Sequence, residues 1–297
     1  MIEVNALEKT FGTVRALDGL SLHVPDGAVY GLVGPNGAGK TTALQIIAGV
    51  YRPTAGEVKF DGEPVFENNA LKRRMAYIPS DFYFNQQARI KDLCDMNAAL
   101  NPSFSRERAR ELATSFPFEQ DRLVRSLSKG TQKQLAFWLA LSTRPDVLLL
   151  DEPLDGIDPA ARLRVLRIAM DEVAQRGMTI LVSSHNLREL SDICDHVGIM
   201  DKGRMSLERS LDALQDDFAK VQVAFVQEDQ ALPAGLTILN ESRQGKLYTL
   251  VVRGNAAEVE ATLNQAGAVF VNVLPLSLEE VFVYETGGVD HAENASD

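Results

Sequence analysis

The apolar run Val29–Val33 passes directly into Gly34-Pro35-Asn36-Gly37-Ala38-Gly39-Lys40-Thr41. This is the spacing G-x-x-x-x-G-K-[ST] of a loop that cradles phosphate. Glycine backbone bends round phosphate oxygens without Cβ clashes. A helix predicted over Lys40–Ala48 then points its unpaired N–H groups at the anion. Lys40 supplies a mobile positive charge for the outer phosphates, and the Thr41 hydroxyl is a ligand for Mg²⁺. An ordinary glycine turn is the competing explanation. At usual residue frequencies the four fixed positions coincide in roughly one chain in a hundred of this length. The strand–loop–helix setting makes coincidence rarer still. The whole segment Gly34–Thr42, with Pro35, Asn36, Gly37, Ala38, Gly39, Lys40, Thr41 and Thr42, is the candidate nucleotide loop.

Such a loop belongs in an α/β fold, and the rest of the chain agrees. Ala28–Val33, Val147–Leu150 and Thr179–Ser183 are continuous apolar runs. That pattern predicts parallel strands buried on both faces, with helices between them. Met1–Val24 and Gly56–Phe66 predict further strands, with turns at Asp26-Gly27 and Asp61-Gly62. Ile90–Leu141 reads as helical: RERARELATSF is amphipathic, and TQKQLAFWLALS follows a Ser-Lys-Gly turn.

The strand Val147–Leu150 ends in Asp151-Glu152. A central apolar strand does not end in two adjacent acids without a solvated or ionic use for them. Asp151 is placed to hold Mg²⁺. Glu152 points elsewhere and is placed to orient or deprotonate an attacking water. Gly34, Ser80, Asp151 and His185 each follow a predicted strand. In open α/β sheets ligands bind outside the carboxyl ends of strands, so the four are expected to converge on one crevice. A capping or surface role is the alternative for His185. Its place after Thr179–Ser183 favours contact with a terminal phosphate.

These motifs, in this order, resemble the nucleotide-binding subunit of ATP-binding-cassette (ABC) transporters, with matching residues along most of 1–206. Phe11 stands where the family has an aromatic that stacks on adenine. Leu127-Ser128-Lys129-Gly130-Thr131 stands at its Leu-Ser-Gly-Gly-Gln signature. Asp155-Gly156-Ile157-Asp158 matches the loop after the acidic pair, and His185 the switch histidine. No Asn-Lys-x-Asp guanine-reading motif occurs. The resemblance implies a P-loop NTPase core of RecA-like type with a mostly parallel sheet, an antiparallel β subdomain and a helical signature subdomain near 85–145. It implies ATP and Mg²⁺ as ligands, Glu152, His185 and Lys40 as catalytic groups, and Thr41, Asp151 and Ser80 around the metal. It also implies a head-to-tail dimer, homomeric or heteromeric, in which each ATP lies between one loop Gly34–Thr42 and the partner's Ser128–Gly130.

Two departures from the family pattern stand out. Lys129 and Thr131 replace the signature's first glycine and its glutamine. Lys129 either adds charge near the partner's ATP or faces solvent. Ser80, in Tyr77-Ile78-Pro79-Ser80, replaces a glutamine that reaches Mg²⁺ and reports nucleotide state to a membrane partner; Asp81 is a partial substitute.

From about Leu211 the chain turns acidic. The segment from Leu207 onward carries 15 acidic and 5 basic residues, against a total net charge of −11. Neither half offers a basic nucleic-acid surface, so no nucleic-acid partner is expected. Val221–Val226, Leu236–Leu239, Leu247–Val252 and Val269–Val273 read as strands and Asn255–Ala266 as a helix. The predicted organisation is an ATPase domain at 1–210, a small α+β domain at 211–286 and a frayed tail at 287–297. No apolar run approaches the roughly 20 residues needed to span a bilayer, and no signal peptide is visible. The two cysteines, Cys94 and Cys194, suit a reducing compartment. A cytoplasmic chain peripheral to the membrane is expected, with separate permease subunits. Asp81-Phe82-Tyr83-Phe84 is placed to contact a permease helix, or else belongs to a subdomain core. Ser277-Leu278-Glu279-Glu280-Val281-Phe282 resembles the close of the C-terminal extension in bacterial export-type subunits. A soluble ABC ATPase of translation or DNA maintenance is the alternative.

Overall fold

Strand β3 (Val29–Val33) is buried at each of its five positions and lies inside a six-stranded sheet. The protein is described by a computed structural model that covers residues 1–116, 118–187, 190, 193–226, 232–277 and 280. Residues 278, 279, 281 and 282 of the export-type ending, and the tail 287–297, lie outside the described residues. The chain divides into two units. One holds residues 1–186 and 193–208; the other takes in Leu187, Leu190 and the described residues from Arg209 onward.

The first unit begins with β1 (Ile2–Phe11) and β2 (Val14–Val24), an antiparallel pair. After β3 come α1 (Lys40–Ile47), β4 (Ala55–Phe60), β5 (Glu63–Pro64), α2 (Asn69–Lys72) and β6 (Met75–Ile78). A helical stretch follows: α3 (Ile90–Leu100), α4 (Arg106–Leu112) and α5 (Lys129–Leu141). Then come β7 (Val147–Asp151), α6 (Pro159–Arg176), β8 (Thr179–Ser184), β9 (His196–Asp201) and β10 (Arg204–Ser210). The antiparallel sheet has the order β2-β1-β4-β5, and the main sheet the order β10-β9-β3-β8-β7-β6. In the main sheet β6, β7, β8, β3 and β9 run parallel, each to its neighbour.

The sequence shows why. Strands β3, β7 and β8 are buried throughout, as continuous Val/Ile/Leu runs demand of a sheet covered on both faces. The core joins both sheets: Ile2, Leu7 and Leu20 pack with Leu44, Ile47, Leu149 and Leu181 in one buried cluster.

The helical region is more broken than its periodicity suggests. Ile90–Leu141 is not one helical run but three helices separated at 101–105 and 113–128, with a 3₁₀ turn at Val124–Ser126. Capping side chains set the boundaries. Ser105 Oγ accepts from the Arg108 amide and starts α4. Ser128 Oγ accepts from the Thr131 amide at 3.1 Å. Helix α5 therefore begins at Lys129, not near Thr131, and Lys129 and Gly130 form its first turn. Serine at an N-cap satisfies an otherwise orphaned N–H, so the first turn forms in front of it despite the glycine.

The second unit has α7 (Leu211–Asp217), β11 (Phe218–Phe225), β12 (Thr237–Gln244), β13 (Leu247–Arg253), α8 (Ala256–Gln265) and β14 (Ala268–Leu274). Its antiparallel sheet runs β12-β13-β11-β14. Val221, Val223 and Phe225 pack with Leu250, Val252, Val259 and Leu263 in a core of its own. Among the described residues no helix is long and apolar enough to cross a membrane.

Candidate nucleotide site

Strands β3, β8, β7 and β6 are consecutive neighbours in the sheet. Parallel register aligns their ends: Val33 pairs with Ser184, Asp151 with Ser183, and Ile78 with Leu150. Gly34, His185, Glu152 and Ser80 therefore leave the sheet along one edge, where ligands of open α/β folds bind.

The glycine loop meets α1 at Gly39, whose φ of 102° suits glycine alone. A Cβ there would stand 2.6 Å from the Ala16 carbonyl oxygen. The loop is thus fixed against β2 by a close backbone approach. Lys40 is buried at 6% exposure. Its ammonium donates to the carbonyls of Gly34 at 2.7 Å and Pro35 at 3.3 Å. It also lies 3.5 Å from Glu152 Oε1.

Asp151 is fully buried. Its Oδ1 accepts from Thr41 Oγ1 at 3.0 Å and from Ser183 Oγ at 2.7 Å. Among the described residues its Oδ2 is buried without a hydrogen-bond partner. Burial and the nearby Asp151 carboxylate push the Tyr77 phenol well above its usual range, so it stays protonated. A buried carboxylate oxygen left unpaired is costly. The vacant lone pairs beside the Thr41 hydroxyl fit a hydrated hard cation such as Mg²⁺.

Glu152 adopts φ 46°, a left-handed conformation that costs a residue with a Cβ about 1–2 kcal/mol. Several contacts hold it there. Its amide donates to the Ser183 carbonyl at 3.3 Å and to Ser183 Oγ at 3.1 Å. Its carbonyl accepts from Lys133 Nζ at 3.0 Å. Its carboxylate pairs with His185 Nδ1 at 2.9 Å and accepts from the His185 amide at 3.4 Å. The turn throws Glu152 off the line of β7, so two consecutive acids serve different positions. Ligand atoms of Glu152, Asp155 and His185 all lie within 4.8 Å of one another.

These contacts bring together Lys40, Thr41, Asp151, Glu152 and His185. Ser80 follows β6 at the same edge, but among the described residues no hydrogen bond joins it to Asp151 or Thr41. Ser128 caps α5. Gly130 approaches the 155–158 loop so closely that a Cβ would stand 2.7 Å from the Gly156 oxygen. Phe11, 42% exposed, lies at the tip of the β1–β2 hairpin. It meets Tyr51 edge-on at 5.5 Å, with Lys9 Nζ 4.9 Å from its ring centre.

Three residues escape a reading of the motifs. Ser183 bonds both acids through one hydroxyl; a polar residue ending the apolar run of β8 was its signal. Lys133 and Tyr51 act across long sequence separations and carry no local signature.

A crossover sheet with this loop, acidic pair and histidine defines a nucleotide-hydrolysing domain, and the comparisons specify which. Residues 17–155 match the family described as ABC transporter. The chain is 32% identical to the ABC transporter ATP-binding protein YtrB of Bacillus subtilis, over 97% of this chain and 99% of that one. It is 31% identical to the Nod factor export ATP-binding protein I of Paraburkholderia xenovorans, over 96% and 97%. A solved ATP-binding subunit of an ABC transporter superposes with TM-score 0.67 at 25% identity, over 72% of this chain and 92% of that one. The chain belongs to the family of ABC transporter ATP-binding proteins. It is an ATP-binding ATPase, and members of this family act in dimers with membrane permeases.

Proposed function

We propose that this chain powers export of a substrate through separate permease subunits, from the cytoplasmic face of the membrane. The observation that carries the catalytic part is the Glu152 carboxylate, held between His185 and Lys40 beside the buried Asp151. In this reading Gly34–Thr42 wraps the phosphates and Lys40 transfers its hydrogen bonds from the loop carbonyls to the outer phosphate oxygens. Glu152 accepts the proton of the attacking water, with His185 fixing its carboxylate and contacting the γ-phosphate. Thr41 and Asp151 would hold Mg²⁺, with Ser80 at the outer edge, and the bound ion would supply neutralisation of the phosphate charge. Phe11 stacks on adenine. Ser128 and Gly130 of a second subunit close the site, with the start of α5 directed at the γ-phosphate.

Export is supported by the ending Ser277–Phe282 and by the similarity, along nearly the whole length of both chains, to a Nod factor export ATP-binding protein. The proposed organisation is an ATPase domain at 1–210 and an accessory domain at 211–286. Affinity purification of the tagged chain from detergent-solubilised membranes tests the transport reading. Recovery of a polytopic partner is expected. Absence of any such partner, with ATP-dependent co-sedimentation on ribosomes or DNA, would overturn it.

A further inference from the structure

We infer that Lys133 is a positioning residue for Glu152, tying the helix behind the signature segment to the hydrolytic carboxylate. This rests on the reading of Glu152 as the group that activates water. Lys133 lies one turn into α5, just after Ser128-Lys129-Gly130. Its side chain leaves the helix and donates to the Glu152 carbonyl at 3.0 Å. That carbonyl belongs to the residue with φ 46°. A residue forced into the left-handed region keeps its conformation only while its surroundings hold both flanking peptides. Ser183 holds the amide before Glu152, and Lys133 holds the carbonyl after it.

The charge of Lys133 suits the place. Burial lowers its pKa, while Asp155, Glu152, Asp81 and Asp151 oppose that fall. Asp81 follows β6, Asp151 and Glu152 end β7, and Asp155 begins the next loop. One ammonium thus serves acids from three segments that border the site. A neutral side chain would leave those acids one counter-charge fewer, with Lys40 remaining beside Glu152. The first turn of the same helix rests on Gly156 through Gly130. Movement of α5, as when its N-terminal end engages a second subunit's nucleotide, therefore acts on Glu152 through the Lys133 bond and on the 155–158 loop through Gly130.

The test compares full-length wild type with Lys133→Met, Lys133→Arg and Glu152→Gln. Methionine keeps an unbranched apolar stem and removes the donor. Lys133→Met is expected to lower kcat roughly ten- to a hundredfold, as misplacement of a reacting group does. KM and the affinity for a fluorescent ATP analogue stay within about twofold, the signature of a lost transition-state contribution. Lys133→Arg, which restores a charged donor, is expected to recover most of kcat. Wild-type kcat in Lys133→Met overturns the inference. So does a fall in kcat matched by equal falls in nucleotide affinity and melting temperature, which marks a purely structural lysine. If Glu152→Gln itself turns over at the wild-type rate, it is the reading of Glu152 that fails, whatever Lys133→Met does.

Discussion

Lys40 Nζ lies 3.5 Å from Glu152 Oε1 while it donates to the Gly34 carbonyl at 2.7 Å. One buried ammonium thus serves as counter-charge to the Glu152 carboxylate and as a clip inside its own loop. Phosphate oxygens are stronger acceptors than neutral carbonyls, so nucleotide entry competes for the same cation. Lys40→Met is expected to lower the ATPase rate by at least about a hundredfold, as loss of a charge-stabilising donor does. It is also expected to weaken nucleotide binding. Steady-state phosphate release and equilibrium binding check both; an unchanged rate would remove Lys40 from the mechanism.

Glu152→Gln keeps the shape of the side chain and removes its basicity. Hydrolysis is expected to fall by about a thousandfold, within the span of general-base effects. ATP binding should survive, because the loop contacts of Lys40 and Thr41 are untouched. The variant is expected to elute as an ATP-bound dimer in size-exclusion chromatography. Elution as a monomer at saturating ATP would contradict the two-subunit site.

The main sheet was legible because its signals are local. Continuous apolar runs define β3, β7 and β8, and the glycine loop and the acids follow two of them without a gap. Parallel register then brings Gly34, Asp151 and His185 to one edge with no further information. Helix α5 starts two residues earlier than a turn at Ser-Lys-Gly suggests, because the Ser128 cap outweighs the glycine at 130. The contacts that orient the site were hidden for a different reason. Ser183, Lys133 and Tyr51 take their roles from tertiary proximity, at separations of 19 residues for Lys133 and Glu152 and 32 for Ser183 and Asp151. No local pattern encodes such pairs.

Phe11 and Tyr51 form an exposed edge-to-face pair with Lys9 beside both rings. An adenine ring stacked on Phe11 gains roughly 1 kcal/mol beyond its area. Phe11→Ala is therefore expected to weaken ATP affinity about fivefold, while Phe11→Tyr retains it. Titration with a fluorescent nucleotide decides the matter. Equal affinities for Phe11→Ala and wild type would place adenine elsewhere.

Glu172 is 3% exposed on α6 and binds Arg108 of α4 and, at 2.6 Å, Arg176 of its own helix. It fastens the helical region to the sheet-covering helix. Removing one partner of a fully buried pair costs about 3–5 kcal/mol. Both arginines are about a quarter exposed, so solvent screening reduces the figure. Glu172→Gln is expected to cost about 2 kcal/mol in urea unfolding. The ATPase rate at 25 °C should remain near wild type, since no described contact links Glu172 to the site.

Ser183 gives the sharpest test of how the acids are held. Its hydroxyl donates to Asp151 Oδ1 at 2.7 Å and accepts from the Glu152 amide at 3.1 Å. Removing it leaves Asp151 with the Thr41 hydroxyl as its described hydrogen-bond donor. A hydrogen bond to a charged group contributes about 1.5–3 kcal/mol, and its loss lets the carboxylate rotate. Ser183→Ala is expected to raise the Mg²⁺ concentration needed for half-maximal ATPase by about tenfold and to lower kcat at saturating Mg²⁺ more modestly. A lowered kcat with an unchanged Mg²⁺ requirement would mean that Ser183 acts through Glu152 alone. Unchanged values of both would show that Thr41 and the backbone suffice to hold the acidic pair.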